Sequence, residues 1–460
     1  MKYISFDKPQ KIHFIGIGGI SMSGLAEVLK SNGFNISGSD MRTSKITNHL
    51  KEIGIHVTIS HRAGVITSDL DLVVYTAAIS KDNPEYLKAL ELGIPTIDRA
   101  TLLGEIMANY EHSIGVAGTH GKTTTTSMLA NILLSAEKDP TISVGGLLDA
   151  IDGNIKIGNS SYFLTEACEY TNSFLKFYPQ IGVILNVEED HMDFFKDLED
   201  IQNSFNTYAC QIDSNGYLII NNQIKDLDRI TKDVTCKVIT CDVENNNADY
   251  YATNITYHNH IFPEFDIMRG NSLLGHVRLN VTGIHNVHNA VCAYAASDCL
   301  NISFDQIAKG LYNFKGAKRR FEYKGDMHGI TIIDDYAHHP TEIEVNLEVL
   351  KQYPHKKLWC VFQPHTYTRT KAFLPEFAKA LSLSDSIILA DIYAAREKNP
   401  GDIHSKDLLP LIESYGKSAY YFPSFDEIEN FLLENVSPGD LLITMGAGDI
   451  YIVGEELLGM

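Results

Sequence analysis

Short apolar runs alternate along this chain with glycine-rich or polar loops and then with segments of helical period. That alternation restricts the fold more than any other feature. A strand fed through a helix into a neighbouring strand builds βαβ units around largely parallel sheets. Residues 11–15, 72–75, 113–117, 162–165 and 181–187 read as strands, with helices over 21–31, 83–92 and 123–135. A third set begins after a basic cluster, with strands predicted at 330–333, 358–362, 386–389 and 441–444. The 460 residues suit three domains, or two large ones, at about 100–200 residues each. Boundaries fall near 110 and 320, giving segments 1–110, 111–320 and 321–460. The polar stretch from Asp242 to His260 reads as a surface excursion.

Two glycine-rich turns join a strand to a helix. In Gly16-Ile17-Gly18-Gly19-Ile20-Ser21, glycines let the backbone turn tightly and approach a pyrophosphate seated on the helix N-terminus. Asp40 closes the next apolar segment, near the usual place of a ribose-binding carboxylate. Ser21 replaces the third glycine of the dinucleotide fingerprint, so the turn points to a nucleotide diphosphate of open identity. The second turn is Gly118-Thr119-His120-Gly121-Lys122-Thr123. Its backbone N–H groups suit a phosphate cradle, the lysine a β- or γ-phosphate and the threonine hydroxyl Mg²⁺. The usual spacing would place glycine at Val116, so this is a variant with Gly115 and Gly118 instead.

Polar side chains follow the remaining strands. Glu166 and His191 stand after two of them, where an open parallel sheet opens its ligand crevice. Mg²⁺ prefers oxygen, so Thr123 and Glu166 are natural ligands and His191 a less usual one. Asn286 and Asn289, three apart, share one helix side; they suit either an adenine edge or a helix cap. Asp334-Asp335-Tyr336-Ala337-His338-His339 invites a metal reading, yet lacks the spacing of a metal-binding helix. His365, Arg369 and Arg396 follow two further strands; the arginines suit paired hydrogen bonds to carboxylate or phosphate, or else surface salt bridges.

Taken together these segments resemble the Mur ligase family. The residues that carry the likeness are GIGGISMSGLAEVL with SGSD, GTHGKTTTT, TEACEY, NVEEDHMD, GIHNVHNA, KRRFE, DDYAHHPTE, FQPHTYTRT, DIYAARE and MGAGDI, in the family's order from residue 12 to 450. The resemblance implies an α/β protein of three domains: a Rossmann-like amino-terminal domain that binds a UDP substrate, a central P-loop ATPase domain with a mostly parallel sheet, and a Rossmann-like carboxyl-terminal domain for the amino acid. It implies ATP-dependent ligation of L-alanine to UDP-N-acetylmuramate through an acyl phosphate, giving ADP and phosphate for peptidoglycan synthesis, with ATP and Mg²⁺ as cofactors.

Carried over residue by residue, the likeness gives ATP contacts to Gly118, Thr119, His120, Gly121, Lys122, Thr123 and Thr124. Asn286 and Asn289 match the adenine side, Arg320 an arginine at the nucleotide and Asp335 an acidic partner near the ribose. Thr123, Glu166 and His191 match Mg²⁺ ligands, and Lys122, Glu166, His191 and Arg320 the catalytic set. Gly18, Gly19, Ser21, Asp40 and Thr76 fall at the UDP end, and His338, His365, Arg369 and Arg396 at the amino acid or product. No lysine is assigned to the carbamylated position of some members. The base for alanine's ammonium stays open among His191, His338 and His365. A relative that joins a recycled tripeptide to the same UDP sugar is the rival within the family. Outside it stand a nicotinamide dehydrogenase, which leaves the phosphate loop unexplained, and a non-catalytic nucleotide binder.

Composition narrows the partners. With 38 basic and 58 acidic side chains the net charge is −20, and no basic run exceeds Lys318-Arg319-Arg320. A polyanion-binding face needs more, so neither nucleic acid nor an anionic membrane is expected. No run approaches the roughly 20 apolar residues of a membrane span. The amino terminus, MKYISFDKPQ, lacks a signal-peptide pattern. The seven cysteines include no CxxC pair, so free, mostly buried thiols in a cytoplasmic monomer or homodimer are expected.

Overall fold

The computed structural model describes residues 3–76, 78–243, 245–258, 262–316 and 319–460. Lys318 of the basic run lies outside them, as do Glu244, Asn259 and His260 of the polar stretch. The strands form three sheets. In the first, His56–Ile59, Asn35–Asp40, Lys11–Ile15, Leu72–Tyr75 and Thr96–Asp98 lie side by side, all parallel. The order reverses between Lys11–Ile15 and Leu72–Tyr75, which opens a crevice at the carboxyl ends of those strands.

The central sheet has ten strands. His112–Ala117 lies between Ile181–Ile184 and Tyr162–Glu166, parallel to both, so the phosphate-type turn after it is flanked by the ends of two neighbours. Antiparallel strands extend each edge. The third sheet has six strands, parallel except for Glu322–Met327. The strand expected at 181–187 ends at Ile184, after which the chain turns under the phosphate loop.

The polar stretch differs from its expectation. Tyr250–His258 is a strand of the central sheet, antiparallel to Phe262–Arg269. Its first three residues are buried, whereas its last three are exposed. The buried half packs against the helix Ile284–Asp298, while the exposed half gives the segment its polar composition.

One apolar core runs from Phe14 and Leu29 of the first unit to Phe174, Phe205 and Tyr208 beside the central sheet. The two are closely fitted. A Cβ on Gly104 would stand 1.9 Å from the Lys176 carbonyl oxygen, and one on Gly24 1.7 Å from Ile155 Cδ1. Lys176 also pairs with Asp98 across this junction. All seven cysteines are free, with Cys168 and Cys210 exposed and Cys236, Cys241, Cys292 and Cys360 buried. No helix among the described residues is long and apolar enough to cross a membrane.

Candidate active site

At the crevice of the first sheet, Gly16 takes φ +83°, and the amides of Gly16 and Ile17 both donate to Ser39 O. A Cβ on Gly16 would meet Thr76 Cγ2 at 2.7 Å, which places Thr76 against the turn. Asp40 holds the turn too, accepting from Gly18 N at 2.9 Å. A Cβ on Gly18 would stand 2.8 Å from Asp40 Oδ2. Gly19 is the N-cap of Ile20–Ser31 and no side chain caps that helix, so its first amides face outward for an anion. Arg99 donates to Ser21 Oγ at 3.1 Å. This arginine brings a cation to the helix start that motif reading missed; its position just after the strand Thr96–Asp98 is the signal that was available.

The second turn follows His112–Ala117. Gly121 is left-handed at φ +81° and is the N-cap of Lys122–Ser135, again without a side-chain cap. Asn186 pins the loop, accepting from His120 N at 2.7 Å and donating to His120 O at 3.1 Å. Thr119 is tied to Glu188 through its hydroxyl. Lys122 Nζ donates to the carbonyl of Gly118 at 2.5 Å, and to the carbonyl of Thr119 and both Glu169 oxygens at 3.0 Å each. Burial opposes the lysine's charge, but Glu169 more than offsets this and its pKa is raised. Neither Asn186 nor Glu169 was singled out for this role from the sequence.

Glu166 accepts from Gly145 N at 2.6 Å. Beside it, a Cβ on Gly145 would stand 2.8 Å from Glu166 Oε2 and one on Gly146 3.2 Å from Thr123 Cγ2. Thr123 and Glu166 thus line one glycine-walled space. His191 sits at φ +54° with Nε2 3.8 Å from Glu169 Oε1. Burial lowers its pKa, which keeps the imidazole neutral and able to ligate a cation. Thr123 and Glu166 offer the oxygen ligands that Mg²⁺ prefers.

Asn286 and Asn289 are buried inside the helix Ile284–Asp298, whose N-cap is Gly283. They are therefore not caps. Asn289 donates to Asn286 Oδ1 at 3.0 Å, and its own Oδ1 would lie 2.9 Å from a Cβ on Gly121, which sets the pair against the phosphate loop. Gly121→Ala therefore adds a clash to a left-handed strain of about 1–2 kcal/mol. We expect at least tenfold weaker ATP binding by calorimetry with the fold retained; unchanged binding would remove Asn289 and Gly121 from the site.

Residues of the third sheet close over this region. Arg320 lies over the Tyr336 ring at 5.1 Å, 3.8 Å from Glu342 Oε1. Arg319 instead holds structure, donating to Asp334 and to the carbonyls of Gly446 and Gly448. Asp335 accepts from Phe321 N and Ala337 N at 2.6 Å each, and burial pushes its carboxyl up to about 7. Burial drives His338 down to about 3 and, with Arg369 beside it, His365 down to about 4. A base for an ammonium works best with a pKa near the working pH, so His338 and His365 are poorly matched in this state.

Arg369 departs from the expectation of a free fork. It pairs with Asp190 through Nε at 3.2 Å and Nη2 at 2.7 Å, while Nη1 faces His365 Nδ1 at 3.2 Å. Both partners are buried, so it is neither a surface salt bridge nor a guanidinium open to an incoming carboxylate. Arg396 lies over the Tyr170 ring at 5.5 Å and is exposed. His338 and His365 rings stand 5.7 Å apart. His120 bridges the units as well, with Nδ1 3.0 Å from Glu342 Oε1 and Nε2 3.6 Å from Glu188 Oε2.

Comparison with known proteins adds a second line. Residues 11–111 match the Mur ligase family catalytic domain, 116–297 the Mur ligase middle domain and 319–448 the Mur ligase glutamate ligase domain. The UDP-N-acetylmuramate–L-alanine ligase of Agathobacter rectalis is 55% identical over 458 residues, covering 100% of each chain. That of Lachnospira eligens is 52% identical over 458 residues, again covering 100% of both. Among solved structures, the UDP-N-acetylmuramate–alanine ligase of Thermotoga maritima superposes with a TM-score of 0.78 at 28% identity, covering 98% of each chain. A murein peptide ligase of Psychrobacter arcticus gives 0.68 at 26% identity, also over 98% of each.

Proposed function

The chain belongs to the Mur ligase family, and from that premise we propose how its residues divide the reaction. It ligates L-alanine to UDP-N-acetylmuramate at the expense of ATP, a step of peptidoglycan precursor synthesis. The observation that carries this reading is identity above half, over the whole chain, to ligases of that specificity. Segment 1–110 binds the UDP sugar, 111–320 binds ATP and 321–460 presents the amino acid. The work is done in the cytoplasm by a monomer or homodimer.

A carboxylate is a poor acylating agent at neutral pH. Its attack on the γ-phosphorus of ATP converts it to an acyl phosphate and releases ADP. The amine of alanine then adds to the acyl carbon, and the tetrahedral intermediate expels inorganic phosphate. Two anions must meet in the first step, so cations are needed where charge develops. Lys122 moves from Glu169 to the β- and γ-phosphates, whose oxygens are cradled by the amides of Gly118 to Thr124. Arg320 faces the nucleotide, Asp335 its ribose, and Asn286 with Asn289 the adenine side. Thr123, Glu166 and His191 hold Mg²⁺, which neutralises phosphate charge when bound. At the UDP end, the outward amides after Gly18 and Gly19 receive the diphosphate, with Ser21, Asp40 and Thr76 shaping the turn and Arg99 adding charge. Arg396 is the exposed guanidinium for the alanine carboxylate, beside His338 and His365, while Arg369 positions His365.

The test is phosphate release with UDP-N-acetylmuramate, ATP and Mg²⁺ across a panel of amino acids and the tripeptide that a murein peptide ligase joins. Turnover with L-alanine is expected to exceed the others. Turnover with the tripeptide alone would assign the chain to the rival within its family.

A further inference from the structure

Three side chains from three separate segments meet beside the phosphate loop. His120 comes from the loop itself, Glu188 from the turn after Ile181–Ile184, and His339 from the start of the helix Pro340–Leu350. Each offers one ligand atom, and these atoms lie within 4.8 Å of one another. The two imidazole rings are 4.9 Å apart. Adjacent spacing at His338-His339 hides such a set, because only the fold brings His120 and Glu188 to it.

The nitrogens facing this space are unusual. His339 is 5% exposed, and its Nε2 is buried with no hydrogen-bond partner. His120 Nε2 is likewise buried and makes no hydrogen bond, with Glu188 Oε2 3.6 Å away. A buried polar atom left unsatisfied costs about 1–3 kcal/mol, so the Nε2 of His339 calls for a partner. His120 Nδ1 is engaged by Glu342 at 3.0 Å. A carboxylate behind the imidazole is the arrangement that fixes a metal-bound histidine, leaving the far nitrogen's lone pair for the ion. Thr341 N–H approaches His339 Nδ1 at 3.4 Å, longer than an ordinary hydrogen bond. Ligation through Nε2 moves the ring proton to Nδ1 and gives up that contact.

We propose that His120, Glu188 and His339 bind a divalent transition-metal ion of the Zn²⁺ class, separately from the Mg²⁺ held by Thr123, Glu166 and His191. Two imidazoles and one carboxylate with a fourth position open to water suit zinc and its neighbours, whereas Mg²⁺ and Ca²⁺ prefer all-oxygen sites. The surroundings favour a cation, since the carboxylates of Glu342 and Glu188 stand 3.0 and 3.6 Å from the two His120 ring nitrogens. Since two ligands belong to the central unit and one to the carboxyl-terminal unit, the ion clamps the phosphate loop to the segment that closes over it.

Titration of the metal-free full-length protein with Zn²⁺ in excess Mg²⁺, read by calorimetry, tests the site. Co²⁺ gives a visible d–d spectrum as a second readout. We expect one tight equivalent, weakened about tenfold or more in His339→Asn, which keeps a helix-capping side chain, and in Glu188→Gln. Should His339→Asn unfold, Glu188→Gln decides alone. The His191→Ala protein and a Cys168→Ser/Cys210→Ser protein are expected to bind as the parent does. No stoichiometric binding, equal affinity in both ligand variants, or loss on removing His191 or the two exposed thiols would overturn the proposal.

Discussion

Lys122→Ala is expected to lower ATP-dependent phosphate release by about 10²–10³-fold, the loss typical when one preorganised donor to a developing charge is removed. Its geometry makes the effect separable from folding. Lys122 Nζ pairs with a Glu169 carboxylate whose side chain is 3% exposed. Removing the lysine therefore leaves a buried anion without its cation, which costs about 3–5 kcal/mol. A Lys122→Ala/Glu169→Gln protein relieves that charge. It is expected to melt close to the parent temperature yet to remain inactive. Full turnover in Lys122→Ala, or recovery of turnover in the double variant, would show that the lysine serves structure alone.

The second large effect concerns the junction between the central and third sheets. Asp190 and Arg369 are both buried, 179 positions apart in the chain, and joined by two hydrogen bonds. Asp190→Ala leaves an unpaired buried guanidinium and is expected to destabilise the docked arrangement by about 3–5 kcal/mol. Replacing both by apolar residues of similar volume is expected to restore most of it. Burial favours the protonated carboxyl, but Arg369 and His191 outweigh burial and hold Asp190 well below the usual carboxylate range. A depressed folded-state pKa contributes stability that is fully present above the ordinary value of about 3.9 and fades as pH falls through the folded value. The parent-minus-variant difference should therefore be flat between about pH 5 and 8 and shrink in stronger acid. Differential denaturant unfolding across that range checks both size and sign; a difference that grew on acidification would refute the assignment.

Strand positions were legible because apolar runs in a parallel sheet are continuous and end abruptly at polar loops. Leu72–Tyr75, Leu358–Phe362 and Ser386–Leu389 fall at the expected residues. Gly118 to Thr123 joins a strand to a helix as its residue types implied. What escaped depends on partners distant in sequence or on backbone geometry. Glu169 reaches Lys122 from a loop in which Thr171 and Asn172 take left-handed conformations, and no pattern in TEACEY forecasts that path. Arg369 reads as a free fork until Asp190 is brought beneath it. His120 reads as one more contact of the phosphate loop, yet it touches Glu188 and Glu342 from two other segments. Tyr250–His258 was obscured because half of the strand is exposed, so its composition is that of a loop.

The central claim is that the substrate carboxylate is activated by the γ-phosphate held over Lys122. It is tested most directly with UDP-N-acetylmuramate carrying ¹⁸O in its lactyl carboxylate, incubated with ATP, Mg²⁺ and L-alanine. If the acyl phosphate forms, the bridging carboxylate oxygen leaves with phosphorus. Mass spectrometry of the released phosphate will then show one ¹⁸O per molecule, matched one to one with the new amide. Phosphate free of label, alongside amide formation, would contradict the account.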